Sequence, residues 1–270
     1  RRQHGAPDLE GRRVVLRDAG RDLRPDLVGA GVAEPGPGED DVGHALREVG
    51  AEMVERLAQI TAVIDVPVVA DGDTGFGGLA NVAQTVAGYE RAGAAAIQLE
   101  DQEFPKRCGH TRDRRVIDVA DMQKKIKIAA STRDQQAFMI IARTDARTQL
   151  GLDDALRRAE AYLAAGADAL FVESPETEDE LRQIAAAFKG VPLVANMVAG
   201  GRTPMLPDQT LFELGFQIVI HPTYLLGALT SGLEQGLAEL VATGQESSEI
   251  AQFDRLNHWV DFDAIWALDE

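Results

Sequence analysis

Six short runs of Val, Ile, Ala, Leu and Phe each stop at a charged or polar residue: Val66 to Asp71, Ala95 to Asp101, Phe138 to Arg143, Ala169 to Glu173, Pro192 to Asn196 and Gln217 to His221. They recur about every 30 residues. A strand that is apolar at nearly every position is buried on both faces, and in a parallel sheet that burial needs helices outside. The segments between the runs have helical patterning. Asn81 is placed to cap the segment holding Val82, Val86 and Tyr89. Thr177 and Glu180 form a Ser/Thr-x-x-Glu capping pattern ahead of Leu181, Ile184 and Phe188, and that helix stops at Gly190 with Pro192 behind it. Gly93, Gly166 and Gly215 stand where other helices must end. The chain reads as βα repeated six times.

Six such units suit an open doubly wound sheet or a (β/α)8 barrel whose first two units lie upstream. The length of 270 residues suits a single barrel. The polar strand ends are spread over all six strands, as in a barrel where every tip faces one site, whereas a doubly wound sheet concentrates its site at one switch point. Gly75-Phe76-Gly77-Gly78 follows a strand but lacks the G-x-G-x-x-G spacing of a dinucleotide fold. The expected fold is therefore an α/β (β/α)8 TIM barrel over residues 43–270. Residues 1–42 differ: they hold 18 Arg, Gly or Pro residues and no convincing amphipathic helix, a composition of loops or disorder that supports the first two βα units poorly. An abrupt change of this kind is also what an out-of-frame coding segment or a truncated start produces. The stretch has no apolar core of a signal peptide.

Charge narrows the function. The chain has 27 Lys plus Arg against 44 Asp plus Glu, a net charge of −17 that repels nucleic acid and anionic lipid. No uncharged apolar run approaches the roughly 18 to 20 residues of a membrane helix. The sole cysteine, Cys108, cannot form an internal disulfide, so a cytoplasmic enzyme is expected.

Within Asp71-Gly72-Asp73-Thr74-Gly75-Phe76-Gly77, two carboxylates two apart at a strand end can point the same way. Hard oxygen ligands of this kind suit Mg²⁺, with Mn²⁺ as an alternative occupant. A solvated Asp-rich turn is the plain reading of such a pair, but Glu100 at the next strand end brings a third carboxylate toward the same point. Lys106-Arg107-Cys108-Gly109-His110 then packs two cations, an imidazole and the only thiol into one loop, a local positive site suited to a small anionic substrate. Arg143, Glu173 and Asn196 at later strand tips complete a ring of polar groups.

Taken together with Glu100-Asp101-Gln102, Arg143-Thr144-Asp145-Ala146 and Asn196-Met197-Val198, these motifs resemble the isocitrate lyase and phosphoenolpyruvate mutase superfamily over roughly residues 43–270. The resemblance implies a (β/α)8 barrel with C-terminal helices exchanged in a dimer of dimers. It implies Mg²⁺ bound directly by Asp73, with Asp71 and Glu100 acting through water, and Cys108 on a mobile loop. It aligns Gly29, Ala30 and Gly31 with a substrate-carboxylate loop and Asp41 with an acidic residue supporting the metal waters. Cys108 points to the carbon–carbon lyases, since phosphonate mutases and hydrolases generally lack it. Methylisocitrate lyases carry a Glu-Phe pair and an Arg where this chain has Val198-Ala199-Gly200-Gly201 and Gly227. The run from Asn196 to Pro204 is more similar to dimethylmalate lyases and carboxyvinyl-carboxyphosphonate phosphorylmutases.

The expectation is a Mg²⁺-dependent lyase that splits a 2-hydroxy dicarboxylate by a retro-aldol step. Arg143 and the Gly109 backbone would neutralise charge, and Cys108, tuned by Lys106, Arg107 and His110, would protonate the carbanion. Phosphonomutase, oxaloacetate-type decarboxylase or hydrolase, and an inactive binding barrel are the alternatives.

Overall fold

A computed structural model describes residues 40–111, 113–246 and 252–268, with side chains described from residue 50 onward. All six expected strands are present: β1 (Val69–Asp71), β2 (Ala96–Glu100), β3 (Met139–Thr144), β4 (Ala169–Val172), β5 (Val194–Asn196) and β6 (Ile218–Ile220). Helix α1 (Asp40–Thr61) precedes β1. Between the strands come α2 (Leu79–Arg91), α3 (Val119–Thr132), the single turn α4 (Arg147–Leu150), α5 (Leu152–Ala164), α6 (Glu178–Ala187) and α7 (Asp208–Leu214). After β6 follow α8 (Tyr224–Thr243), α9 (Phe253–Trp259) and α10 (Phe262–Trp266). Gly29, Ala30 and Gly31, where the first two βα units are expected from sequence, lie outside the described residues. Asp41 falls in the first turn of α1, where its side chain is likewise outside them.

The helix signals work by the chemistry that the sequence suggested, with one correction. Thr177 Oγ1 accepts from the Glu180 amide at 3.1 Å and caps α6. Gly93, Gly166 and Gly215 take φ of +90°, +111° and +117°, conformations that side chains disfavour, at the ends of α2, α5 and α7. Asn81 is not the cap of α2. Gly78 holds that position, and Asn81, three residues on, reaches back to accept from the Gly78 amide at 3.2 Å. The amide side chain satisfies the same kind of orphan N–H from the other half of a capping box.

Strands β1 to β4 pair in parallel in chain order, β5 pairs with β6, and a parallel bridge between Leu170 and Leu193 joins the two sets. Among the described residues the strand order does not reverse, so these strands form no switch point. Side-chain alternation then separates two faces. Ile97, Leu99, Ile140, Ala142, Leu170, Val172 and Ala195 pack with Val86, Met122, Ile126, Ala159 and Ile184 of the helices in one apolar cluster. Ala96, Ile141, Ala169, Phe171 and Val194 form a second cluster that contains no buried helix residue. Helices on one face only are the barrel arrangement, since a doubly wound sheet is covered on both. The inner face is the one that continues, two residues at a time, into Glu100, Arg143, Glu173 and Asn196.

Just beyond β2, Asp101 is fully buried and ties three elements together. Its carboxylate accepts from Thr144 Oγ1 at 2.7 Å, the Asp145 amide at 2.9 Å, Tyr162 OH at 2.7 Å and Arg158 Nη1 at 3.3 Å. Arg158 also donates to the Ile117 carbonyl at 2.8 Å. Replacing Asp101 by Ala leaves Tyr162 without its acceptor and takes one carboxylate from Arg158, which keeps Asp154 and the Ile117 carbonyl, and loss of one partner in such a buried set costs about 3 to 5 kcal/mol. Urea unfolding of Asp101→Ala should show that loss with the m-value unchanged; a loss below about 1 kcal/mol would mean the network is not what joins β2, β3 and α5.

Candidate active site

The acidic turn after β1 is held from behind. Tyr89 OH donates to the Asp71 carbonyl at 3.0 Å, and Lys125 Nζ donates to the Thr74 carbonyl at 2.7 Å. Within the turn, the Asp73 amide donates to Asp71 Oδ1 at 2.9 Å, and Asp73 sits at φ +47°, a left-handed conformation that Asp tolerates better than most residues. The Glu100 amide donates to the Asp73 carbonyl at 2.8 Å, so the turn and the tip of β2 are adjacent.

Glu100 is almost wholly buried, and among the described residues neither of its carboxylate oxygens has a hydrogen-bond partner. Arg143 Nε approaches Oε2 to 3.4 Å without hydrogen-bonding geometry. Burial pushes the Glu100 carboxyl up to about 8, outweighing the pull of Arg143 in the other direction. A buried carboxylate with orphaned oxygens is the donor a hard cation would satisfy. Among the described residues, however, no three His, Cys, Asp or Glu side chains are drawn together as a ready-made cage. The ammonium of Lys106 lies against Asp73 Oδ1 and 3.9 Å from Asp71 Oδ2, balancing the charge of that turn. Burial acts to lower the Lys106 pKa, but its hydrogen bond to Asp73 and the nearby carboxylates prevail and raise it. Mg²⁺ in any case takes one or two carboxylates and completes its shell with water and substrate, so the donor set of Asp73, Asp71 and Glu100 fits it.

Arg143 is the centre of the inner face. Its Nε and Nη2 donate to Asp145 Oδ2 and Oδ1 at 2.9 and 3.0 Å, Nη2 stands 3.3 Å from Glu173 Oε2, and its Cζ lies 5.0 Å over the Phe171 ring. Arg114, itself buried, pairs with Asp145 from the far side. Burial works against the Arg143 charge, yet Asp145 and Glu173 prevail and its pKa is raised. The guanidinium is permanently charged.

Glu173, fully buried, gathers the remaining donors. Asn196 Nδ2 donates to Oε2 at 3.2 Å, His110 Nε2 is 3.6 Å from Oε1, and Ser174 Oγ is 2.9 Å from Oε1 and 2.8 Å from the Gly109 carbonyl. Gly109 admits no side chain: a Cβ there would come 2.5 Å from Arg143 Nη2 and 2.8 Å from Glu173 Cδ. The loop backbone therefore packs directly on the two strand-tip charges.

The structure divides the Lys106–His110 loop instead of focusing it on the thiol. Lys106 faces the acidic turn and His110 faces Glu173. Arg107 points toward Asp113 at 4.0 Å, with its backbone held by the Gln102 side chain at 2.9 and 3.0 Å. Cys108 is exposed beside them. Asp145, Arg114, Ser174 and Arg202 were not singled out from sequence. Asp145 and Arg202 lie in quoted runs, and the signal each carried was a lone charge just past a strand tip.

The family model described as phosphoenolpyruvate phosphomutase matches residues 37–241. Among relatives, a 2,3-dimethylmalate lyase from Eubacterium barkeri is 47% identical over 207 residues, covering 77% of this chain and 70% of that one. A 2-methylisocitrate lyase from Bacillus subtilis (strain 168) is 42% identical over 185 residues, covering 68% and 60% respectively. Among solved structures, a crystal structure of 2,3-dimethylmalate lyase, described as a PEP mutase/isocitrate lyase superfamily member, superposes with a TM-score of 0.75 at 31% identity over 82% of this chain and 74% of that one. Oxaloacetate acetylhydrolase in complex with 3,3-difluorooxalacetate gives 0.75 at 29% identity over 82% and 76%. A phosphonopyruvate hydrolase in complex with oxalate and Mg²⁺ gives 0.70 at 28% identity over 81% and 77%. With its parallel strands in chain order, its charged inner-face tips and these matches, the chain belongs to the phosphoenolpyruvate phosphomutase family, within the PEP mutase/isocitrate lyase superfamily.

Proposed function

We propose that the protein cleaves a carbon–carbon bond of a 2-hydroxy dicarboxylate of the dimethylmalate kind, releasing a 2-oxo acid and a second carboxylic acid. The observation that carries this reading is the buried Arg143–Glu173–Asn196 cluster, roofed by Gly109 and His110 of the loop that holds Cys108 and set beside the acidic turn. Similarity to 2,3-dimethylmalate lyase supports it. Cytoplasmic location is part of the proposal, on the strength of a single free cysteine and no helix, among the described residues, long and apolar enough to cross a membrane. So is assembly as a dimer of dimers, supported by the exposed Leu225, Leu229, Leu233 and Leu237 along α8.

A divalent ion at Asp73, Asp71 and Glu100 would supply Lewis-acid stabilisation of negative charge on the substrate oxygens. The chain's own residues do the rest. Arg143, locked by Asp145, offers an unchanging positive charge to a substrate carboxylate, and the Gly109 backbone lies against the same guanidinium. The C2 hydroxyl gives its proton to solvent water, the bond between C2 and C3 breaks, C2 with its former hydroxyl oxygen becomes the carbonyl of the 2-oxo acid, and the electron pair stays on C3. Cys108 Sγ–H returns a proton to C3 as general acid.

Incubating the full chain with 2,3-dimethylmalate, 2-methylisocitrate, oxaloacetate and phosphonopyruvate, with Mg²⁺ or with EDTA, separates the readings. The expected product is pyruvate from a 2-hydroxy dicarboxylate, in the presence of Mg²⁺ only. Oxalate with acetate from oxaloacetate, phosphate from phosphonopyruvate, or no turnover of any of them would overturn the lyase reading. On the true substrate Cys108→Ser should lower kcat by at least about 100-fold, the scale of a lost general acid.

Glu100 gives a test of the metal reading through stability. Its carboxyl titrates near 8 in the fold and near 4.5 when exposed, so between those values the unfolded chain binds fewer protons than the folded one. Stability contributed by this group is therefore complete below about pH 4.5 and is lost as pH rises toward 8, at about 1.4 kcal/mol per pH unit. In metal-free buffer, Glu100→Gln should gain thermal stability over the parent progressively from pH 5 to pH 8. Adding MgCl₂ at pH 8 should raise Tm of the parent and not of the variant; equal shifts in both would remove Glu100 from the metal site.

A further inference from the structure

The segment after β5 reaches across the strand tips to the loop that carries Cys108. Two hydrogen bonds join them, both from Arg202, and a third contact ties the same residue to the segment after β4. The Arg202 backbone amide donates to His110 Nδ1 at 3.2 Å, Arg202 Nε donates to the His110 carbonyl at 3.5 Å, and Arg202 Nη1 stands 3.1 Å from Glu176 Oε1. Glu176 lies between β4 and α6 and is also bound by Arg147 Nη1 at 2.6 Å. The hydrogen bond from Arg147, with that from Arg202, holds its carboxyl below the usual range despite some burial, so this anchor stays charged. Gly201 completes the seat: a Cβ there would come 2.8 Å from His110 Nδ1 and 2.9 Å from Cε1, so the imidazole lies directly on bare main chain.

We infer that Arg202 is a positioning residue that latches the Lys106–His110 loop onto the tips of β4 and β5 and sets which ring nitrogen of His110 carries the proton. A neutral imidazole that accepts at Nδ1 must hold its hydrogen on Nε2. Nε2 is the nitrogen that faces Glu173 Oε1 at 3.6 Å, while Asn196 Nδ2, 3.3 Å from Nε2, donates to the other oxygen of the same carboxylate. With the proton at Nε2 the ring and Asn196 are two donors beside one carboxylate, and with it at Nδ1 the Arg202 amide would face a second donor, so the Arg202 main-chain N–H is the contact that decides. Burial lowers the His110 pKa, with Arg114, Arg143 and Arg202 acting in the same sense and Glu173 opposing them, so the neutral ring is the favoured form. Because Cys108 is two residues from His110, the latch also limits where the thiol can travel. That this placement serves proton transfer rests on the lyase reading; the latch itself does not.

The loop offers its own reporter, since trypsin cleaves after Lys106 and Arg107. Cleavage of a folded protein tracks the population of the open form when reclosing is fast. Mass spectrometry of the full chain should show the Arg107–Cys108 bond cut roughly fivefold faster in Arg202→Gln than in the parent, the scale of a partly exposed ion pair, with Tm within a few degrees. Glu176→Gln should give a similar acceleration and also serves if the first variant does not fold. The double variant should be no faster than either single one, because both remove the same contact. Arg202→Lys, which keeps the charge but not the fork, should fall between parent and Arg202→Gln. Imidazole ¹⁵N shifts, assigned by loss of the His110 signal in His110→Gln, should report the Nε2–H tautomer in the parent, and also in Arg202→Gln whenever the loop is closed, since that variant keeps the main-chain N–H. Cleavage within twofold of the parent in both single variants, additive effects in the double variant, or an Nδ1–H tautomer of His110 in the parent would overturn the inference. No substrate enters these measurements, so they can fail while the lyase reading stands, and the reverse.

Discussion

The buried Arg143 guanidinium is the charge on which the inner face of the sheet depends. Asp145, Glu173 and Glu100 all approach it within 3.4 Å in surroundings that penalise every one of these charges. Without a permanent cation among them the carboxylates could not share one strand-tip layer. The protein meets that cost unevenly. Asp145 is matched twice, by Arg143 and Arg114, and Glu173 is surrounded by four donors. Among the described residues Glu100 receives no hydrogen bond and is left with a pKa near 8. The group least well satisfied lies next to the acidic turn, where a cation from solution can complete it.

The backbone supplies this layer at little extra expense. In a parallel sheet with helices on one side only, alternate side chains of each strand enter the same interior. A run such as Ala96-Ile97-Gln98-Leu99-Glu100 sends Ile97 and Leu99 to the helices and Glu100 to the site with no special loop conformation. Around the site, positive φ at non-glycine residues falls in the acidic turn, at Asp73 and Phe76, and at Ser174 (φ +58°) after β4, while Asp113 and Asp261 lie away from the strand tips. Asp73, Phe76 and Ser174 belong to segments braced by Tyr89, Lys125 and the Gly109 carbonyl.

The strands and their tips were legible because burial on both faces leaves a near-continuous apolar run, and the first polar residue after it marks the mouth. That logic recovered all six strands and brought Glu100, Arg143, Glu173 and Asn196 to one face. It could not say which partners a charge would take. The crowding of Lys106, Arg107 and His110 around Cys108 along the chain suggested that they tune the thiol. In three dimensions each follows its own carboxylate, on a different element, and sequence spacing carries no information about that choice. Asp101 was readable as a strand-end acid, but its role as a buried tie between β2, β3 and α5 depends on Arg158 and Tyr162, more than 50 residues away. The placement of Asn81 missed for a smaller reason, since a capping box can be closed from either end and only geometry tells which.

The same division explains why the thiol is exposed in a loop whose neighbours are not. Gly109 is pressed against Arg143 and Glu173, and His110 is held by Arg202, so the C-terminal half of the loop is anchored to strands β3, β4 and β5. At the other end Lys106 is anchored to the turn after β1. Cys108 stands between two anchors that belong to opposite sides of the same site, on the short stretch that neither holds. For the general-acid role proposed for Cys108, that arrangement gives a fixed reach, set by the anchors, together with the rotational freedom of an exposed side chain. Burying the thiol among the strand-tip charges would fix its position at the cost of that freedom, and releasing the anchors would give freedom without aim.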